Sequence, residues 1–571
     1  MTGLALGQSH LVAAARLFAL ELVLSLATLA ALPHLMRWWR ASGRDLEPRV
    51  AAWKAASYVT AATMALTYLL AVVSVLAAIP TVLGLDSSVS LLPGGRLYTY
   101  SAVLLSTALT AIALRYLYYY YCWFRSLKSF RKPPPMDVTS LAMRRLPLIK
   151  VQITTKGGAL PVVQRGLREL EQSLARHPWL TDALSAEVIT EDASEVMELR
   201  REFKASALRV DAILLPADYE TPRGTKLKAR ALQYVVERRL ATAPLQRGES
   251  YIVHFDEETV VTDSHLLVLV EYLSGDPKPV SQGPILYPLE WEETPWICKA
   301  LESMRPFGCS ECARVMEHPP PPHLHGSNLV VDEAAENEIG WDFGTLDGQP
   351  YIAEDLLFGL RAYAVLGEQG FGWHGATMLE QPPFSLHWAV QQRMRWVLGA
   401  LQGLAAMRTE PQYANISAWH KRRLKLAINF RIATYALGFP LGFAGVYFFL
   451  RPAHHAVAHS SPLGLWRLLI IVSGVLWLAS YQIGLARNLR YKQMAWPDRL
   501  KHHLMILILT PVTGLCETAG PFVAVLRWLL GARKASWTPT PKLAERGGPD
   551  ERSLAEAEAA TPVAPDAFVS A

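Results

Sequence analysis

Cysteine is scarce in this chain. Five of them, Cys122, Cys298, Cys309, Cys312 and Cys516, are scattered over 571 residues, and only "CSEC" has metal-like spacing. A structural zinc would need two more ligands nearby. His318, His323 and His325 could be proposed, but the expectation is a Pro-rich loop with two reduced cytosolic thiols. The first apolar segment has neither a basic leader nor a small-residue cleavage site, so it is not read as a signal peptide. Basic residues are not gathered into a patch of their own. They flank the apolar segments, where anionic lipid headgroups are nearer partners than nucleic acid, which argues against nucleic-acid binding.

What the chain has in excess is apolar residues, 51% of the total, with a positive mean hydropathy. They gather in Leu11–Pro33, Tyr58–Ala78, Ser101–Tyr121, Leu426–Leu450 and Leu465–Ala486, each near the roughly 20 residues that cross a hydrocarbon core. The expectation is a multi-pass integral plasma-membrane protein. Arg37, Arg40, Arg44, Arg49 and Lys54 follow the first span, and Arg125, Lys128, Arg131, Lys132, Arg144 and Arg145 follow the third. Basic loops stay on the cytoplasmic side, so the amino terminus starts outside and the long middle segment is cytoplasmic. Met505–Leu530 is interrupted by Pro511, Gly514, Glu517, Gly520 and Pro521, which suits a re-entrant or interfacial hairpin. Beyond it the Ala-, Glu- and Pro-rich tail has little to bury and reads as disordered. The predicted regions are 1–124, a three-helix transmembrane part; 146–410, a cytosolic domain; 424–531, two spans plus the hairpin; and 540–571, the tail.

Within the cytosolic segment, strands and helices alternate. "LPLIKVQITT", "LSAEVIT", "VDAILLPADY" and "YIVHFD" read as strands, and "PVVQRGLRELEQSLARH" and "TKLKARALQYVVERRL" as helices. That alternation predicts a Rossmann-like, mostly parallel sheet covered on both faces, with ligands at the carboxyl ends of its strands. "YIVHFDEETVV" puts Asp256, Glu257 and Glu258 at such an end. The three acids fit a solvated loop, or a site where two carboxylates share a hard divalent cation that also takes phosphate oxygens. Glu354 and Asp355 precede a helical pattern, and "SLHWAVQQRMRWVLGALQGL" carries Gln392, Arg395 and Trp396 on an amphipathic helix. Gln392 and Arg395, at i and i+3, lie on one face and could present an amide and a guanidinium to one anionic group. Trp396 is either a flat surface for a sugar or an anchor at the bilayer interface.

An acid cluster after a strand, an ED pair and then Gln-x-x-Arg-Trp resembles the motif order of membrane-embedded family 2 glycosyltransferases, the group of cellulose, chitin and hyaluronan synthases. "DYETPRGTKLKARALQY", "YIVHFDEET", "HGSNLVVDEAAENEIGWDFG" and the block from Ile352 to Gly399 are similar to the egghead-type β-mannosyltransferases. The resemblance implies a GT-A-like α/β catalytic domain inserted between transmembrane helices. It implies that Asp256 and Glu258 hold Mg²⁺ or Mn²⁺ and the donor diphosphate, and that the Glu354–Asp355 pair supplies the catalytic base, Asp355. Ala353 replaces the usual Thr before that pair, removing a hydroxyl but not the base. Gln392 and Arg395 would engage the diphosphate, Trp396 would floor the acceptor pocket, and Lys228 would stand near the nucleotide. Asp192 is the candidate for the nucleobase, with Thr154 or Thr155 lining the same pocket, although Glu191 and Asp192 fit a solvated loop equally.

The implied reaction moves a hexose, mannose from GDP-mannose, to a lipid-linked acceptor with inversion. The alternative is a UDP-sugar-dependent, processive polysaccharide synthase. A metal-dependent phosphohydrolase would explain the acids but not Gln392, Arg395 and Trp396. A transporter or scaffold with an inactive domain is a further reading. No activated Ser or Cys constellation is present, as expected if no covalent enzyme intermediate forms.

Overall fold

The structure is a computed structural model in which residues 112–130, 133, 136–242, 246–450, 461–531 and 540–543 are described, with the backbone alone at 129, 437–450 and 461–471. The predicted spans Leu11–Pro33 and Tyr58–Ala78 lie outside these residues. Of the third, residues 112–121 belong to a helix that continues to residue 125.

The strands, in chain order, are β1 Leu148–Thr154, β2 Leu184–Thr190, β3 Arg209–Leu214, β4 Ser250–Phe255, β5 Val260–Val261, β6 Val280–Gln282, β7 Ile285–Leu286, β8 Leu329–Asp332, β9 Thr345–Leu346, β10 Gln349–Pro350, β11 Phe371–Trp373 and β12 Met378–Leu379. Seven form one sheet in the order β11, β6, β8, β4, β1, β2, β3. All neighbours run parallel except β8, which is antiparallel to both β4 and β6. β4 is buried at all 6 positions, as its unbroken apolar run requires of a strand covered on both faces. The Leu160–Arg176 helix lays Val163, Leu167, Leu170 and Leu174 on Ile149, Val151 and Ile153 of the sheet. Each such side chain contributes about 1.5–3 kcal/mol on burial.

Strand order positions the site. β2 and β3 lie on one side of β1 and β4 on the other, so chain connections leave β1 in opposite directions. The crevice outside the carboxyl ends of β1 and β4 is where such sheets bind ligands. Thr154 ends β1, and Asp256 follows β4 directly.

After the sheet come the helices Leu386–Thr409, Ala418–Leu450, Ser461–Leu489 and Trp496–Leu529. The last corrects the expected hairpin: it is one continuous helix of 34 residues running through Pro511 and Pro521. Hydroxyls of Thr510, Thr513 and Thr518 donate to the carbonyls of Ile506, Thr510 and Gly514 of their own helix at 2.6, 2.7 and 2.8 Å, so these buried polar groups are satisfied within the helix. The glycines serve packing rather than turning. A Cβ on Gly520 would lie 2.5 Å from the Val390 carbonyl oxygen of the Leu386–Thr409 helix. Among the described residues this is the one helix long and apolar enough to cross a membrane by length and composition, and 50% of its most apolar stretch is buried inside the protein.

Candidate active site

A cavity of about 1500 Å³ opens at the carboxyl ends of β1 and β4. Its wall includes Thr154, Lys228, Asp256, Glu258, Glu354, Asp355, Gln392, Arg395 and Trp396, so blocks far apart in sequence meet in one space. Asp192 is not in that wall. Its Oδ1 caps the Ala193–Glu202 helix, accepting from the Ser194 amide at 2.8 Å. Its neighbour Glu191 does line the cavity and pairs with Arg230 at 2.9 Å.

The acids after β4 each have a different partner. Lys228, at the start of the Lys228–Leu240 helix, donates to Asp256 Oδ1 at 2.5 Å and to the Gly326 carbonyl at 3.1 Å. Burial opposes ionisation of Asp256, but the Lys228 ammonium outweighs it and holds the carboxyl below its usual range. Glu257 accepts from the Thr155 hydroxyl at 2.9 Å, and burial pushes its carboxyl up to about 7. Glu258 is bonded to Lys542, while its other oxygen is buried without a hydrogen-bond partner. Glu380 joins them from beyond β12: burial, then the charges of Glu258 and Asp256, push it up to about 8.

Asp256, Glu257, Glu258 and Glu380 share one wall with Lys228 and Lys542, and oxygen donors of this kind suit a hard divalent cation. The donor set and the orphaned Glu258 oxygen therefore fit a divalent cation. A thermal consequence follows. Glu257 and Glu380 have folded-state pKa values above those of an unfolded chain, so ionising them costs stability as pH rises through about 7 and 8. A cation that offsets this cost should raise the melting temperature more at pH 8 than at pH 6. Equal Mn²⁺ shifts at both values in a melting assay would argue against binding at this cluster.

Glu354 and Asp355 open the Glu354–Leu366 helix. A Cβ built on Gly326 would lie 3.5 Å from Lys228 Nζ, 3.6 Å from Glu354 Oε1 and 3.9 Å from Asp355 Oδ2, so the three groups converge there. Burial, reinforced by the neighbouring Glu354, raises the Asp355 carboxyl to about 7. Glu354 is raised as well, again chiefly by burial.

From the Leu386–Thr409 helix, Gln392 turns an amide oxygen into the wall with no hydrogen-bond partner. Burial lowers the Arg395 guanidinium from its ordinary value, and Glu354 and Asp256 oppose that shift. Trp396 is 38% exposed, with the Arg305 guanidinium 4.8 Å from its ring centre. The helix is anchored on its far side by Arg393, fully buried and 3.2 Å from Glu302.

Helix and ED pair touch through small residues. A Cβ on Gly399 would lie 2.4 Å from the Ala353 Cβ and 3.3 Å from its nitrogen, so there is little room for a larger residue at either place. Gly399→Val should displace the start of the ED helix and lower turnover at least about tenfold, with the overpacking costing about 1–3 kcal/mol. Ala353→Gly in the same chain should restore part of the rate in a transfer assay, and no rescue would refute this contact as the cause.

The sequence reading missed several members of the wall. Residues 540–543 belong to the predicted disordered tail, yet the Thr540 hydroxyl meets Arg395 at 3.3 Å, Lys542 reaches Glu258, and the Leu543 amide donates to Gln381 at 3.0 Å. A short polar segment docks through hydrogen bonds to a preformed wall, and no hydrophobic periodicity announces it. The one signal was the basic, Trp-containing "GARKASWTPTPK", residues 531–542, which runs into the start of the tail. Glu380 and Gln381 carried none.

Residues 251–514 match the family model described as glycosyl transferase family group 2. The chain carries a family 2 glycosyltransferase domain. Its mostly parallel sheet, with one reversed strand, is GT-A-like. Among curated proteins it is 29% identical to Beta-1,4-mannosyltransferase egh of Drosophila melanogaster over 261 residues, 45% of this chain and 52% of that one. It is also 29% identical to Beta-1,4-mannosyltransferase bre-3 of Caenorhabditis elegans over 223 residues, 38% of this chain and 46% of that one. The match thus spans about half the length of these relatives. Among solved structures, S. aureus TarS matches with 11% identity and a TM-score of 0.30, covering 61% of this chain and 56% of that one. TarS 1–349 in complex with UDP-GlcNAc matches with a TM-score of 0.31 at 11% identity, covering 59% and 90%. Likeness that low has no bearing on donor or fold.

Proposed function

We propose that this chain is an inverting glycosyltransferase that moves a hexose, mannose from GDP-mannose, onto a lipid-linked acceptor at the cytoplasmic face of a membrane. The observation that carries the reading is the meeting of Asp256, Lys228, Asp355 and Arg395 in one cavity that continues among the long helices, where Tyr116, Ile428, Ile432, Trp477 and Thr518 line it. A pocket of some 300–1,000 Å³ suffices for a small ligand, so this space has room for a donor and part of an acceptor. An apolar extension suits a lipid, which would otherwise face a large transfer cost on entering a water-facing site.

Asp256 and Glu258, with Glu257 and Glu380 beside them, would hold Mg²⁺ or Mn²⁺, whose charge would help the diphosphate leave. Arg395 and Gln392 face the same leaving group with donors already in place. Asp355 takes the proton from the acceptor hydroxyl as its oxygen attacks the anomeric carbon from the side opposite the diphosphate. The configuration inverts, and an α-linked donor gives a β-linkage. Trp396 offers an exposed aromatic face to the acceptor sugar. The multi-pass arrangement, with residues 146–410 between helical regions 1–124 and 424–531, belongs to this reading. Mannose is favoured by the β-1,4-mannosyltransferase names of the curated relatives.

Purified full-length protein, supplied with labelled GDP- and UDP-sugars, Mn²⁺ and a membrane lipid extract, tests it. Label should pass from GDP-mannose into the lipid phase. Transfer from UDP-glucose alone would overturn the donor in favour of the synthase reading, and release of phosphate without transfer would favour a phosphohydrolase.

A further inference from the structure

We propose that Cys309, Cys312 and His325 hold a zinc ion in the cavity wall, at a site separate from the acid cluster, with a fourth position open to the cavity and filled by water. Cys309 and Cys312 stand at i and i+3 of the Arg305–Glu317 helix, a spacing that turns both sulfurs to one face. Both thiols are buried yet line the cavity. The Pro-rich turn after the helix returns His325 to them. The ligand atoms of the three residues lie within 4.8 Å of one another, and His325 Nε2 is 3.3 Å from Cys312 Sγ. Zinc bonds of about 2.3 Å to sulfur and about 2.0 Å to nitrogen in tetrahedral geometry place S and N about 3.5 Å apart. A small contraction would therefore complete the site.

His323 has a different part. Arg431, which can only donate, bonds to His323 Nδ1. The proton of the neutral ring is therefore on Nε2, 3.5 Å from Cys312 Sγ. That N–H supports a thiolate rather than supplying a lone pair, and Glu311 in turn pairs with Arg431. A chain of outer partners of this kind is what orients metal ligands. Two sulfurs and one imidazole select zinc over the oxygen-seeking Mg²⁺ and Mn²⁺. On binding, the two thiols lose their protons to solvent, and two thiolates balance the dication. The sequence alone reads as two reduced thiols in a Pro-rich loop; the fold instead sets both on the Arg305–Glu317 helix with His325 beside them.

The site does not depend on the donor or acceptor assigned above. Full-length protein produced with zinc in the medium and purified under reducing conditions should contain about one zinc per chain by elemental analysis. Cys312→Ser and His325→Ala should each lower that content at least about tenfold, whereas Asp256→Asn should leave it unchanged. Replacing a buried cysteine can cost folding, so the parent protein gives a second measure. Cobalt added after zinc removal should produce the visible bands of tetrahedral Co²⁺ and a near-ultraviolet thiolate band. Trace zinc in the parent together with no cobalt bands while its thiols are reduced would overturn the site, as would loss of zinc in Asp256→Asn.

Discussion

Asp355→Asn is expected to lower turnover by about 10²–10⁴-fold, the range for removing a positioned general base, with donor binding little changed. Asn keeps the shape and the oxygen that accepts from the Leu356 amide at 2.7 Å, so the helix start should hold. What disappears is the proton acceptor. The pH profile of the parent protein provides a second check. Because Asp355 is raised to about 7, and only its ionised form can take a proton, kcat/KM should climb as pH rises through about 7 and level off above it. Donor binding, measured separately by calorimetry, should not follow that curve. Full turnover in the Asn variant would eliminate Asp355 as the base, and a rate already level at pH 5 would mean that the group is not raised.

Parts of this arrangement were open to reading in the sequence because their signals are local. The four strands and two helices of the first half fall on the segments that apolar periodicity marked, except that the third strand ends at Leu214 rather than running on to Tyr219, since one strand or one helix face decides its own pattern. Asp256, Asp355 and Arg395 were legible as chemistry because each sits at an element's end or on a helix face. That they share a cavity was carried by resemblance rather than by any local pattern. Asp192 is ambiguous in sequence because an acid after a strand is as good an N-cap as a ligand, and the cap is the role its Oδ1 takes in the fold. Pro511 and Gly520 read as breakers because the sequence does not show the partner helix against which Gly520 packs. Lys542, Glu380 and His325 acquire meaning only through neighbours distant in the chain, and no periodicity encodes such neighbours.

Asp256→Asn is expected to weaken Mn²⁺-dependent donor binding by about 10–100-fold, the loss typical when a metal site's support is removed. Two effects oppose each other in this variant. The lost charge removes an oxygen ligand from the cluster, but it also releases Lys228, which burial alone would discharge and which Asp256, then Glu354, hold above its ordinary range. Lys228 retains the Gly326 carbonyl and the charges of Glu354 and Asp355, so it should turn toward the ED pair and steady its ionised form. Proton transfer at Asp355 should therefore survive at saturating donor, with the defect falling on KM rather than kcat. A matching loss in kcat would mean that Asp256 acts through Lys228 on the base, and donor affinity unchanged by either Mn²⁺ or the substitution would remove the acid cluster from the donor site.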